Sequence, residues 1–168
     1  MSEQTNKNLK IAFAGECQAN RRYLVYAKKA EEEGFPNMAR LFRVIADAEI
    51  IHANKHLDAL KGVKSTLENT QSALQGESEE ATGMYPMFVY QAKRDTDNDA
   101  LNSFFYAQEA ETTHLNLFEK ALSALKDGKD PEVGELYVCK VCGYTVEGPP
   151  PEKCYTCGEG REAFILVE

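Results

Sequence analysis

From Lys7 to Glu33 the residues Phe13, Tyr23, Tyr26, Ala27 and Ala30 recur at three- and four-residue spacing, and Glu16 falls on the same stripe. That period predicts an amphipathic helix. Gly34-Phe35-Pro36-Asn37 ends it and opens a second, because Gly suits a C-terminal cap and Pro a first turn. The second helix, from about Met38 to Leu60, sets Leu41, Ile45, Glu49, His52 and His56 on one side. Between Gly62 and Gly76 the period weakens to Val63, Leu67 and Leu74, which predicts a crossover connection. A third helix begins near Glu77 with Glu77, Glu80, Met84 and Phe88 in one stripe, and Pro86 is expected to bend it. After a polar turn at 94–99 comes a fourth helix, about Ala100 to Lys126. Its inner face carries Leu101, Phe104, Gln108, Glu111, His114, Leu115, Phe118 and Leu122. A linker at 127–134 stops the helical period, and Leu136-Tyr137-Val138 and Phe164-Ile165-Leu166-Val167 read as short strands. The expectation is a mainly α chain. A four-helix bundle with a long crossover between helices 2 and 3 fills residues 1–132, and a small four-cysteine domain fills 133–168.

The pattern repeats. Glu49-Ile50-Ile51-His52 returns 62 residues later as Glu111-Thr112-Thr113-His114, and the same offset pairs Tyr23 with Tyr85, Ala30 with Ala92 and Phe42 with Phe104. Residues three apart on a helix share a face, so each Glu-x-x-His can offer a carboxylate and an imidazole to one ion. Glu16, Glu49, Glu77, Glu80 and Glu111 are thereby predicted to point at one interior with His52 and His114. Unpaired buried carboxylates cost several kcal/mol each or take up protons. Two divalent cations remove that difficulty, and a donor set rich in carboxylate suits iron or manganese better than structural zinc. A single Glu-x-x-His is ordinarily a solvated surface pair; two in a duplicated register, with glutamates on the other two apolar stripes, reverse that reading. His56 is left out of the ligand set as a residue of the helix end. Tyr23 and Tyr85 are candidates to hydrogen-bond ligand carboxylates, with ordinary core packing as the alternative. Cys17 reads as a small buried filler.

Cys139-x-x-Cys142 and Cys154-x-x-Cys157 form two knuckles. That spacing predicts a tetrahedral four-thiolate site. Gly143 and Gly158 follow each second cysteine, where the chain turns tightly with positive φ. Spacing leaves iron and zinc both open; iron is favoured behind a redox dimetal site, which needs an electron supply. A domain of this size needs such a staple to fold.

Composition narrows the function. A formal charge of −8 argues against nucleic acid and acidic membrane surfaces as partners. No apolar run is long enough for a membrane helix, and the first residues lack the apolar stretch of a signal peptide, so the cytoplasm is expected.

The stretches Ala12-Phe13-Ala14-Gly15-Glu16-x-Gln18-Ala19 and Gly76-Glu77-x-x-Glu80-x-Thr82-x-Met84-Tyr85-Pro86, with both Glu-x-x-His phrases and the four-cysteine tail, resemble the rubrerythrins. The resemblance covers essentially the whole chain. It implies a ferritin-like di-iron bundle with a C-terminal rubredoxin-like domain. By that likeness Glu49 and Glu111 bridge two non-haem irons, Glu16, Glu80 and His52 serve one ion, and Glu77 and His114 serve the other. It further implies that the first iron exchanges Glu80 for His52 on reduction. Cys139, Cys142, Cys154 and Cys157 hold one electron-transfer iron, with zinc as a possible replacement. The sequence departs from the pattern at Tyr155 (usually Pro), at Ile50 and Ile51 (usually charged), and at Gly83 and Cys17; none of these removes a ligand.

The resulting expectation is a peroxidase reducing hydrogen peroxide to water in oxidative-stress defence, with electrons relayed from a reductase or small carrier through the tail. A short linker is expected to keep the tail from its own bundle, which implies a homodimer whose tails serve each other's sites. The rival readings are a ferritin-like ferroxidase and a non-enzymatic protein with structural zinc.

Overall fold

Ala39, Ala46 and Ala53, seven residues apart, are fully buried along one side of a helix. Methyl groups at that spacing let two helices approach closely. In the computed structural model, which describes all 168 residues, they form the seam between α1 (Glu3–Glu32) and α2 (Pro36–Ala59). Ala19, Ala27 and Ala30 face them from α1, and the Asn20 side-chain amide donates to the Ala46 carbonyl at 2.8 Å. Ser2 caps α1 by accepting from the Thr5 amide. Gly34, at φ +81°, makes the turn, and Pro36 opens α2 as expected. This helical hairpin, Met1–Lys64, is one of two compact units; the other is Ser65–Glu168. The face expected to be apolar and inward on α2 is instead partly open: Leu41 and Ile45 are exposed, because the alanines make the helix contact.

In the second unit the predicted crossover differs from what is observed. Residues 66–79 are helical (α3, Thr66–Glu79), leaving only a short connection after α2. The reason is a capping box. The Ser65 hydroxyl accepts from the Glu68 amide, and the Glu68 carboxylate accepts from the Ser65 amide. Such a box starts a helix where the hydrophobic period is weak. A π turn, Glu80–Met84, joins α3 to α4 (Tyr85–Asp95), with the Tyr85 amide bonding back to the Glu80 carbonyl. The bend expected at Pro86 is therefore met by a widened turn just before the proline.

That turn has a counterpart in the repeat. Seven residues separate Glu16 from Tyr23, whereas eight separate Glu77 from Tyr85. A π turn takes one more residue than an α turn. The second copy thus absorbs its extra residue and keeps α4 in register. After Thr96, in the left-handed region at φ +54°, the Asp97 side chain caps α5 (Asn98–Lys126). Both α3 and α4 pack on α5.

The C-terminal segment forms a three-stranded antiparallel sheet in the order β2-β1-β3, with β1 Leu136–Cys139, β2 Thr145–Glu147 and β3 Phe164–Val167. The sequence pattern predicted β1 and β3 and missed β2. A small core of Cys139, Cys142, Cys154, Ala163 and Phe164 is covered by Tyr106 of α5. A side chain at Gly143 would meet the Ala110 methyl at 3.9 Å. Tyr106, Ala110 and His114 lie at four-residue steps and so share one stripe of α5.

Candidate metal centres

In the first unit, Glu16 of α1 meets Glu49 and His52 of α2, with donor atoms all within 4.8 Å of one another. The three-residue step of the Glu-x-x-His brings His52 Nδ1 to 2.9 Å from Glu49 Oε2. In the second unit Glu77, Glu111 and His114 converge within the same limit. His114 Nδ1 lies 2.7 Å from Glu111 Oε2 and 3.4 Å from Glu77 Oε2. Six of the seven expected donors are thereby placed in two triads of equal composition.

Glu80 is the exception, standing at the start of the π turn outside either triad. It belongs to the surroundings of Tyr85. Burial, then the charges of Glu80, Glu111 and Glu77, push that phenol above its ordinary pKa. Tyr85 thus lies within the field of three carboxylates. Tyr23 packs against Phe42, with ring centroids 6.1 Å apart, and beside Tyr26. His56 lies in the last turn of α2 outside the triad. Cys17 is a free, half-buried thiol.

The second triad fits a cation on three counts. Glu77 Oε2 is buried with no hydrogen-bond partner. Burial, then its contact with Glu111, raises the Glu77 carboxyl above its usual range against the lowering pull of His114. The third count is the imidazole tautomer. Thr145 Oγ1 lies 3.1 Å from the Gly143 carbonyl and 3.0 Å from His114 Nε2. A carbonyl only accepts, so the hydroxyl donates to Gly143 and takes the Nε2 proton as acceptor. With Nε2 committed as a donor, Nδ1 is the nitrogen left for a metal; without one it donates to Glu111 Oε2 at 2.7 Å. That nitrogen and two carboxylates converge on one point, and a bound metal ion in place of the Nδ1 proton would satisfy all three.

The four thiols fit a metal equally well. They are free, with Cys139 and Cys157 sulfurs 3.7 Å apart and those of Cys142 and Cys154 3.5 Å apart. Four metal–sulfur bonds of about 2.3 Å at tetrahedral angles would set the sulfurs roughly 3.8 Å apart. Gly143 and Gly158, at φ +81° and +78°, make matching turns, each donating its amide to the carbonyl of the knuckle's first cysteine at 2.9 Å. Burial pushes the Cys142 thiol up. It also pushes at Cys154, but there the amides of Cys157 and Thr156, together with the Cys142 and Cys157 thiols, outweigh it and the net shift is downward. Amides aimed at sulfur favour the thiolate form that a metal requires.

The linker does not keep this tail from the helices of its own chain, as the sequence reading expected. Thr145 and Glu147, alternate residues on one side of β2, reach His114 and Lys120 of the same α5. Glu147 also accepts from the Gly134 amide at 2.7 Å, pinning the linker's end. Beside this contact lies a cavity of about 410 Å³ reached by Glu77, His114 and Thr145 and otherwise lined largely by Leu117, Phe118 and Val133. Sequence reasoning missed Thr145 entirely, since a contact across 31 residues leaves no local pattern.

The rubrerythrin family model matches residues 7–122, and the model of the rubrerythrin rubredoxin-like domain matches 137–165. This chain belongs to the rubrerythrin family. Rubrerythrin-2 of Clostridium acetobutylicum is 36% identical over 93% of this chain and 92% of its own length. The nigerythrin of Nitratidesulfovibrio vulgaris is 32% identical over 95% of this chain and 85% of its own. A solved structure of nigerythrin in its fully reduced, all-ferrous state matches with a TM-score of 0.56 at 29% identity, covering 99% of this chain and 88% of that one. The mainly helical architecture with a small four-cysteine sheet is thus shared with a rubrerythrin relative of known structure. Family and donor sets together support iron binding at these clusters. No helix is long and apolar enough to cross a membrane.

Proposed function

We propose that this rubrerythrin is a cytoplasmic non-haem di-iron peroxidase. It converts hydrogen peroxide, two electrons and two protons into two waters. One observation carries the reading: two triads of two glutamates and a histidine, one with an orphaned carboxylate oxygen, share the chain with a four-thiol cluster packed on the helix of the second triad. Residues 1–132 would act as the di-iron module and 133–168 as the rubredoxin-like module.

Ferrous ions held by Glu16, Glu49, His52, Glu77, Glu80, Glu111 and His114 would supply Lewis acidity and two electrons for cleaving the O–O bond. The protein's own work is placement. Each Glu-x-x-His fixes a carboxylate against its imidazole, and Tyr85 retains its proton to donate to a neighbouring carboxylate. The apolar wall of Leu117, Phe118 and Val133 keeps part of the site's surroundings dry. Cys139, Cys142, Cys154 and Cys157 would hold the single iron that receives electrons one at a time from an external donor protein. The family resemblance adds a homodimer to this reading, in which each subunit's tail serves the site of its partner.

The test is the visible spectrum and iron content of protein made with iron, followed through addition of peroxide to the reduced form. Oxidation of the reduced iron with stoichiometric loss of peroxide is expected. Cys142→Ser should retain one such oxidation and lose turnover with an external donor. Full steady-state turnover by that variant would rule out the relay.

A further inference from the structure

We propose that the cavity beside the second triad seats the hydrocarbon body of an alkyl hydroperoxide, so that this protein reduces compact organic hydroperoxides as well as hydrogen peroxide. The inference rests on the proposed peroxidase reading and names a second substrate class for the same site.

The cavity is larger than hydrogen peroxide needs. A water molecule claims about 30 Å³ of the liquid, and hydrogen peroxide on the order of twice that. The cavity holds about 410 Å³, whereas an apolar cavity of about 150 Å³ already binds benzene.

Polar and apolar groups are separated along it. Glu77, His114 and Thr145 cluster together, with His114 3.4 Å from Glu77 and 3.0 Å from Thr145. From His114, α5 carries Leu117, Phe118 and Ala121 along the wall, steps of three and four that share one face. Ala121 stands seven residues beyond His114, about 10 Å along the axis. Leu136 of β1 closes another side. The charged side chains of Lys120 and Glu147 are spent on each other. Lys120 Nζ donates to both Glu147 oxygens, at 2.9 and 2.7 Å, and the Gly134 amide donates to the same carboxylate at 2.7 Å. They line the cavity chiefly with their aliphatic stems. Glu132 and Val133, both exposed on the linker, mark the mouth.

A few convergent polar groups at one end of an apolar body is the usual plan of a small-molecule pocket. The matching ligand has one small polar end and a compact hydrocarbon body without negative charge, since the Glu132 carboxylate at the mouth opposes an anion. The polar end is a hydroperoxide because the reaction proposed for the triads consumes one. ROOH, two electrons and two protons give ROH and water. The O–O bond breaks, two O–H bonds form, and the external donor supplies the electrons as it does for hydrogen peroxide. Burying the non-reacting body strengthens binding and so lowers KM.

Cumene hydroperoxide, a benzene ring on a branched carbon, is the probe. With iron-loaded protein and an external donor, its KM should lie roughly 10–200-fold below that for hydrogen peroxide, the range for filling an apolar pocket. Ala121→Phe, which fills the far end, should cancel that difference. Val133→Trp, at an exposed position, should cancel it from the mouth even where the first variant fails to fold. Equal KM values in the parent, or a difference that survives both substitutions, overturn the proposal. A lower KM for an anionic fatty-acid hydroperoxide than for cumene hydroperoxide overturns it as well. A further readout needs no turnover. In the full chain loaded with zinc, which is diamagnetic, the product cumyl alcohol should shift the methyl NMR signals of Leu117, Val133 and Leu136. Unmoved methyls would mean that the cavity is closed in the assembled protein, and the proposal falls. A parent that consumes neither peroxide would instead overturn the peroxidase reading, and the zinc-protein titration would still decide whether the cavity is a seat.

Discussion

The first and second helical units each hold one triad of two glutamates and a histidine, yet they hold it differently. His52 is 56% exposed and is steadied only by Glu49, whereas His114 is 31% exposed and is gripped on both ring nitrogens. Glu77 carries a buried, unpartnered oxygen, and no such atom occurs on Glu16. The second half also has a carboxylate, Glu80, that the first copy of the repeat lacks at the matching place. Duplication supplied the same donors twice. The C-terminal segment and one extra residue make the halves unequal, with one imidazole held at both ring nitrogens and the other at one.

The largest expected effect tests whether the halves work as one. Glu49→Ala or Glu111→Ala should each abolish peroxide consumption in an iron-loaded assay. Survival of activity in either variant would mean that a single half suffices. A difference between the halves should show in metal-free protein. The raised Glu77 carboxyl contributes stability that is present below the unfolded pKa and is lost as pH rises through the folded one. Glu77→Gln should therefore raise the melting temperature of metal-free protein at neutral pH while weakening metal uptake; Glu16→Gln should weaken uptake without that gain. Calorimetry with and without metal reads both.

A smaller effect belongs to the tail's clamp. The Gly134 amide, then Lys120, holds the Glu147 carboxyl below its usual range. Its contribution is present above the unfolded pKa and is lost as pH falls through the lowered folded value. Protection of the amides at 143–147 should fall in acid, and Glu147→Gln should show the lower protection already at neutral pH, with the hairpin unit indifferent to both. Smallest is Gly83→Ala in the π turn. A methyl there meets nothing within 4 Å and φ is not positive, so a gain of about 0.4–1 kcal/mol in chemical denaturation is expected.

Much of this was legible in the chain because the signals are local. A three-residue step fixes each Glu against its His, and the cysteine spacing fixes each knuckle, including the positive φ at Gly143 and Gly158. Helix ends at Gly34 and Pro36 were likewise marked by residues whose backbone preferences are strong. The start of α3 was missed because Ser65 and Glu68 announce it by hydrogen bonding while the apolar period there is faint. On α2 the period was misleading in a different way. Leu41 and Ile45 are the larger apolar residues, but the helix contact runs through alanines, which allow the closest approach. The π turn and Thr145 were out of reach for a single reason: one depends on register between distant copies, the other on a fold that brings 114 beside 145.

The widened turn at Glu80–Met84 has an evolutionary reading as well. A helix that gains one residue ordinarily swings everything beyond it through about 100°, which would carry Tyr85 and all of α4 off their partners. By letting the surplus bulge locally, the chain can try a new acidic group beside an old site and leave the downstream packing as it was. One half of a duplicated scaffold is in that way open to change while the other conserves the original plan.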